Sequence, residues 1–154
     1  MNALQTQISN QFKKAFDDLL EKKLVEKDFE WVARLYVEIR ERLCNLIPRR
    51  KDLHEKIREE MDATIFVQML ENDMFKIEQI LNLINYVFGW FEKLQSPHRD
   101  DATEKRKQEL YVFLRKPNCT LASFVPFFIK MMHIIIDEIE NDTKEMKKLL
   151  AQKK

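Results

Sequence analysis

Glycine is almost absent from this chain: among 154 residues there is one, Gly89. Phosphate-binding loops, dinucleotide-binding fingerprints and nucleophile elbows each need several backbone positions without a Cβ atom, so the sequence excludes all three. Tight hairpin turns also draw on glycine, which argues against a β-rich fold. The scarcity of glycine therefore predicts an all-α protein.

The chain also has little net charge and only two cysteines. The 27 Lys and Arg residues against 26 Asp and Glu leave a net charge of +1, and the basic clusters 49–51 and 105–107 lie among acidic residues. Since nucleic-acid binders usually show a segregated basic face, we expect no nucleic-acid partner. Cys44 and Cys119 are expected to be buried free thiols in a reducing compartment. The N-terminus carries no secretory signal and the longest apolar run, 124–136, is too short for a membrane span, so we expect a cytoplasmic protein.

Apolar residues recur at helical spacing along most of the chain. The length fits one domain over residues 1–154, and the periodicity predicts a bundle of six to seven helices. The last helix, starting at Thr120 or Ser123, is apolar on nearly every side over 124–139. This pattern predicts a central apolar helix near the C-terminus, wrapped by the others.

Capping residues suggest where the other helices begin. Ser9 is predicted to cap a first helix that carries an apolar face from Phe12 to Leu20. Asp28, Asp62 and Asp73 are predicted to cap later helices.

Two further signals lie in the middle of the chain. Gly89 falls inside a predicted helix, where close contact with a neighbouring helix is its plausible use. Ser96 and Pro97 are typical of an N-cap and first helical position, and Asp100 and Asp101 follow where the helix dipole favours negative charge.

Catalytic and metal-binding patterns are weak. His133 and Asp137 are four residues apart on one helix, with Glu138 adjacent, but a tetrahedral site needs three or four ligands. We interpret His133 as a core histidine and expect no catalytic residue, no metal and no cofactor. A helical enzyme that uses these three side chains remains the alternative.

One arginine stands out because it follows a helix-start signal. Arg99, fixed at a first helical turn, can fork onto a carboxylate of another helix, and Glu38 and Asp62 are the candidate partners. A structural ion pair that fixes helix order is favoured over a binding site. We regard Pro97, Arg99, Asp100, Glu38 and Asp62 as the partner-binding or signature residues.

Four stretches carry a family resemblance. They are LYVEIRERLCNLIPRR at 35–50, IREEMD at 57–62, ILNLINYV at 80–87 and SPHRDD at 96–101. Through them the chain resembles the T-complex protein 11 family over about residues 29–141, with the proline, arginine and aspartate of SPHRDD as the most specific part. Asp137 and Asn141 match a later aspartate and asparagine of the family less closely.

The resemblance implies a short, truncated or divergent family member that acts as a helical regulator of cyclic-AMP and protein kinase A signalling. It supplies no established catalytic residue. Our first hypothesis is a non-enzymatic module that binds a protein partner, such as a protein kinase A pathway component, in a groove between helices. The alternatives are a groove-binding regulator of another pathway, similar to Bcl-2 proteins in size and class, and an oligomeric structural protein joined through the first helix.

Overall fold

The structure is a computed structural model that describes residues 3–72 and 77–152. Within these ranges the chain forms seven α-helices and no strand, which confirms the predicted all-α class. The helices are α1 (Ala3–Val25), α2 (Glu30–Asn45), α3 (Lys51–Glu60), α4 (Ala63–Glu71), α5 (Ile77–Leu94), α6 (Asp100–Leu114) and α7 (Leu121–Gln152). A 3-10 turn, Pro97–Arg99, precedes α6.

The long helix α7 contacts four other helices, α1, α2, α5 and α6. Its first half supplies much of the core, including Phe128, Met132 and Ile136, and it continues through Pro126. Leu24 near the end of α1 lines one cavity with Leu121 at the start of α7, whereas Phe12 lines another with Ile134. The two helices are therefore antiparallel.

Several helix boundaries follow from capping chemistry. Asp62 caps α4 as predicted, because its Oδ1 accepts hydrogen bonds from the backbone N–H groups of Thr64 at 2.8 Å and Ile65 at 3.1 Å. Thr120 caps α7: its Oγ1 accepts from the Ser123 N–H while the Ser123 Oγ accepts from the Thr120 N–H, each at 3.1 Å. This reciprocal pair satisfies two donors that would otherwise lack partners.

Other predicted starts are wrong. Ser9 lies inside α1, which is already helical from Ala3, since the uncharged residues before Ser9 contain no helix breaker. Phe29, not Asp28, occupies the N-cap of α2, and Asp28 Oδ1 makes a long 3.4 Å contact with the Glu30 N–H. The predicted cap at Asp73 lies outside the described residues.

Two local predictions need correction. A Cβ atom built on Gly89 would meet nothing within 4 Å, so this glycine does not serve a close helix contact. Ser96 and Pro97 do occupy the N-cap and the first position of the turn before α6, but the Ser96 hydroxyl pairs with Nδ1 of His98 at 2.8 Å and caps no backbone N–H. Asp100 and Asp101 do lie in the first turn of α6.

The cysteines are free, but their burial differs from the prediction. Cys44 is buried, whereas Cys119 is half-buried. Across the described ranges, none of the helices combines the length and the hydropathy required to cross a bilayer.

Candidate partner-binding site

Arg99 forks onto a carboxylate, but on a different helix from the one predicted. Its Nε and Nη2 atoms donate to the two oxygens of Asp142 on α7, each at 3.0 Å. Its Nη1 atom lies 3.4 Å from Glu138 Oε2. The guanidinium therefore clamps the start of α6 against the second half of α7, and neither Glu38 nor Asp62 is its partner.

The same network extends along α6. Arg106 donates through Nη2 to Oε1 of Glu138, so this carboxylate is shared between two arginines. Arg99 holds the pKa of Asp142 below its ordinary value of 3.8, because the ionised carboxylate accepts both hydrogen bonds. The arrangement is a partly exposed ion-pair network that fixes the position of α6 on α7.

Asp100 belongs to a separate polar junction between α5 and α6. Gln95, at the end of α5, donates from Nε2 to Asp100 Oδ1 at 2.7 Å. The same Gln95 accepts through Oε1 from the buried Thr103 hydroxyl at 2.5 Å. The amide thus joins two residues of α6 to the preceding helix, which locks the angle of the turn that begins at Pro97.

A second arginine network lies on the opposite edge of α7. Arg42 of α2 donates from Nη2 to Asp137 Oδ1 at 2.6 Å and lies 3.1 Å from Glu140 Oε2. Its Nη1 is 2.7 Å from Nδ1 of His133, which acts as the acceptor because a guanidinium has no lone pair to offer. The exposed side chain of Glu38 contributes a negative charge near His133.

These contacts engage all three residues of the alternative catalytic site with arginines. Burial, reinforced by the positive charge of Arg42, lowers the pKa of His133 below 6.5 and favours the neutral imidazole. Glu138 pairs with Arg99 and Arg106, whereas Asp137 pairs with Arg42. Over residues 3–72 and 77–152, no group of three His, Cys, Asp or Glu side chains is placed to hold a metal ion.

The outer face of α1 presents apolar side chains to solvent. We define the α1 stripe as Leu4, Ile8, Phe12, Phe16 and Leu19, whose exposed fractions are 63%, 44%, 72%, 40% and 48%. The core side of the same helix, in contrast, buries Leu20 and Leu24. A soluble protein seldom leaves so many large apolar side chains contiguous and exposed unless another surface covers them.

The middle of the α1 stripe borders a groove of about 400 Å³ between α1 and α7. Phe12 and Phe16 form one wall, and Ile129 and Ile134 of α7 lie on the other. Phe16 also meets Trp31 of α2 edge-on, with ring centroids 4.9 Å apart. Both walls of the groove are therefore apolar in this part, and α1 contacts both neighbouring helices.

Charged side chains of both signs rim this groove. Lys13 and Asp17 belong to α1, and Lys130 and Asp137 belong to α7. The sequence predicted an apolar face from Phe12 to Leu20, but helical spacing alone could not show that Phe12 would remain exposed while Leu20 is fully buried.

Sequence reasoning missed six residues of the arginine networks: the arginines Arg42 and Arg106, and Asp137, Glu138, Glu140 and Asp142 as arginine partners. The spacing of Glu138 and Asp142, four residues apart on one helix, was an available signal for a shared acidic face. Nothing in that spacing identifies the partner helix, because the Arg99–Asp142 pair spans 43 residues.

Comparison with known proteins gives one result. A family model described as T-complex protein 11 matches residues 1–143 of the 154 residues. No curated protein and no solved structure matches the chain. The family match spans most of the chain and includes all four stretches that carry the resemblance, and the helical fold agrees with it. The chain therefore belongs to the T-complex protein 11 family.

Proposed function

We propose that this chain is a non-enzymatic interaction module that binds an amphipathic helix of a partner protein along α1. The exposure of the α1 stripe beside an apolar groove is the observation that carries the proposal. Family membership suggests that the partner is a component of the cyclic-AMP and protein kinase A pathway. We further propose a cytoplasmic location, with the free thiols of Cys44 and Cys119 in support.

The dimensions of the α1 stripe favour a helical partner. Leu4 to Leu19 spans about 22 Å at 1.5 Å per residue, the length of about four turns of a second helix. Four of its five side chains recur at intervals of four residues, the pattern that packs against an apolar helix face. Charges of both signs at the groove rim would orient a partner that carries its own charges beside the apolar face.

The non-enzymatic part of the proposal is supported by the state of His133. A general base must offer a free nitrogen lone pair to the proton that it removes. Here Nδ1 of His133 already accepts from Arg42, and the acidic side chains nearest in sequence are paired with arginines. These side chains therefore hold α7 against its neighbouring helices.

The test is affinity capture with a matched pair of variants. Phe12→Asp places a charge in the α1 stripe, and Val112→Asp makes the same change at an exposed apolar position of α6 outside the groove. Both variants are first checked for unchanged helicity by circular dichroism. We expect wild type and Val112→Asp to recover protein kinase A subunits from lysate, and Phe12→Asp to lose at least about nine-tenths of that recovery.

Equal recovery by all three proteins would contradict the proposal. Light scattering on the same proteins tests the alternative in which a second copy covers α1. A dimer of wild type and of Val112→Asp that becomes a monomer in Phe12→Asp would assign the α1 stripe to self-association instead. Recovery of another pathway's helical proteins, lost in Phe12→Asp, would keep the module and replace the kinase partner.

A further inference from the structure

A second pocket, of about 330 Å³, lies where α4 and α5 meet α2, and no residue of α1 or α7 lines it. Its floor is aromatic: Tyr36 of α2 stacks face to face on Phe66 of α4, with ring centroids 4.1 Å apart and planes at 6°. Tyr86 of α5 and Met69 of α4 complete the apolar walls. The pocket is therefore physically separate from the α1 groove.

One polar atom in this pocket lacks a hydrogen bond of normal geometry within the described part of the chain. It is the buried hydroxyl oxygen of Tyr86, although a weaker contact with the Trp90 indole lowers the pKa of this tyrosine. A buried hydroxyl without a partner is costly, and most such groups in folded proteins are satisfied by a side chain, a water or a ligand. The hydroxyl is thus available to accept a hydrogen bond from a group that enters the pocket.

Among the described residues, the two charged side chains that line the pocket are both acidic. Glu60 is exposed at the end of α3, and Asp62 is half-buried at the start of α4. Neither carboxylate forms a salt bridge with another described residue, and the arginines nearby make other contacts. Arg58 pairs with Glu41 at 3.0 Å, and Arg40 donates to the Met61 carbonyl oxygen at 3.3 Å.

Charged neighbours act on both tyrosines. Burial is the main cause of the raised pKa of Tyr36, and the positive charge of Arg40 opposes it more strongly than the negative charge of Asp62 reinforces it. Burial likewise raises the pKa of Tyr86, with the Trp90 contact opposing and Glu60 reinforcing. Each carboxylate therefore acts on one pocket hydroxyl.

We propose that this pocket binds an arginine side chain of a partner protein. The planar guanidinium stacks on the aromatic floor and donates hydrogen bonds to Glu60, to Asp62 and to the Tyr86 hydroxyl, while the alkyl stem covers Met69. Asp62 can take part without losing its role at α4, since Oδ1 accepts the capping hydrogen bonds and Oδ2 remains.

The test is an NMR titration of the full chain with two probes of the same shape. One probe is blocked arginine, N-acetylarginine methylamide, and the other is its citrulline counterpart, which replaces the guanidinium by a neutral urea. We expect blocked arginine to shift the amide signals of α4 and of the start of α5 in a saturable way, with an affinity at least about tenfold higher than that of citrulline. Added salt should weaken the binding of arginine and leave that of citrulline nearly unchanged.

Variants test the named side chains. Glu60→Gln and Asp62→Asn, the latter chosen because asparagine also caps helices, should each weaken arginine binding several-fold. Tyr86→Phe should weaken it without altering its salt dependence, since it removes an uncharged acceptor. The matched control is Glu59→Gln, an exposed carboxylate beside Glu60 that does not line the pocket and should have no effect.

Equal binding of arginine and citrulline would overturn the proposal. So would shifts scattered over surface carboxylates, or equal weakening by Glu59→Gln and Glu60→Gln. Failure here leaves the α1 proposal intact, because Phe12 lies in a different groove and is tested by a different variant.

Discussion

At the scale of single residues, arginines connect α7 to the remainder of the bundle. Arg42 of α2 pairs with Asp137 and Glu140, while Arg99 pairs with Asp142 on another edge of the same helix. Arginine suits this task because its planar fork can bond two oxygens at once and stays charged at any physiological pH. The charged second half of α7 is thus used for positioning rather than left entirely to solvent.

The Arg99–Asp142 pair predicts a specific dependence of stability on pH. Because the pKa of Asp142 is lower in the folded chain than its ordinary 3.8, the pair stabilises the fold above that value, and the contribution disappears as the pH falls through the folded-state pKa. In Asp142→Asn, the free energy of unfolding should therefore fall below that of wild type at pH 7. The difference should shrink as the pH falls through the folded-state pKa of Asp142.

Urea unfolding of both proteins across this pH range provides the measurement. Glu109→Gln, which neutralises an exposed carboxylate of α6 outside the network, is the control and should follow wild type closely. Coincident curves for wild type and Asp142→Asn would show that the pair contributes nothing to stability, and a constant offset at every pH would show that its contribution does not depend on the ionisation of Asp142.

At the scale of whole helices, local sequence signals account for some boundaries and fail at others. Asp62 was predictable because its side chain bonds its own helix two and three residues later. Ser9 misled because a capping residue also tolerates a helix interior when helix-forming residues stand on both sides. A serine can either cap a helix or lie inside one, and in α1 the contact with α7 favours one continuous helix.

The lone glycine gives an element-scale prediction. Gly89 lies inside α5, and a Cβ atom at this position meets nothing within 4 Å, so nothing in the structure explains the choice of glycine. Gly89→Ala should raise the free energy of unfolding by about 0.5 to 1 kcal/mol, because alanine loses less backbone entropy in a helix. Denaturant unfolding monitored at 222 nm measures it, and a loss of stability would mean that α5 needs the flexibility of glycine.

At the scale of the whole molecule, the sequence predicted the class of fold better than its contacts. Periodicity and the scarcity of glycine were sufficient for an all-α bundle, because both act locally. The sequence predicted that Arg99 would bond a carboxylate of another helix. It did not predict which carboxylate, since Asp142 is brought near by the packing of α6 on α7. Packing also explains why His133 and Glu138 have different partners, since Arg42 meets His133 on one face of α7 and Arg106 meets Glu138 on another.

The exposed α1 stripe is likewise a property of the assembled molecule. α1 is attached along one side, through Leu20 and Leu24 and through its antiparallel contact with α7. The bundle contributes Trp31 to one edge of the α1 stripe and Ile134 to the other, but covers neither Phe12 nor Leu4. We propose that a partner helix covers these side chains.

Site-specific photocrosslinking tests this claim most directly. A benzophenone amino acid replaces Phe12 in one protein and Val112, also exposed but on α6, in a control. After irradiation in cells, mass spectrometry identifies the adducts. We expect a protein kinase A pathway component to be crosslinked through a helical segment at position 12 and to be absent at position 112. The same adducts at both positions, or none at position 12, would contradict it.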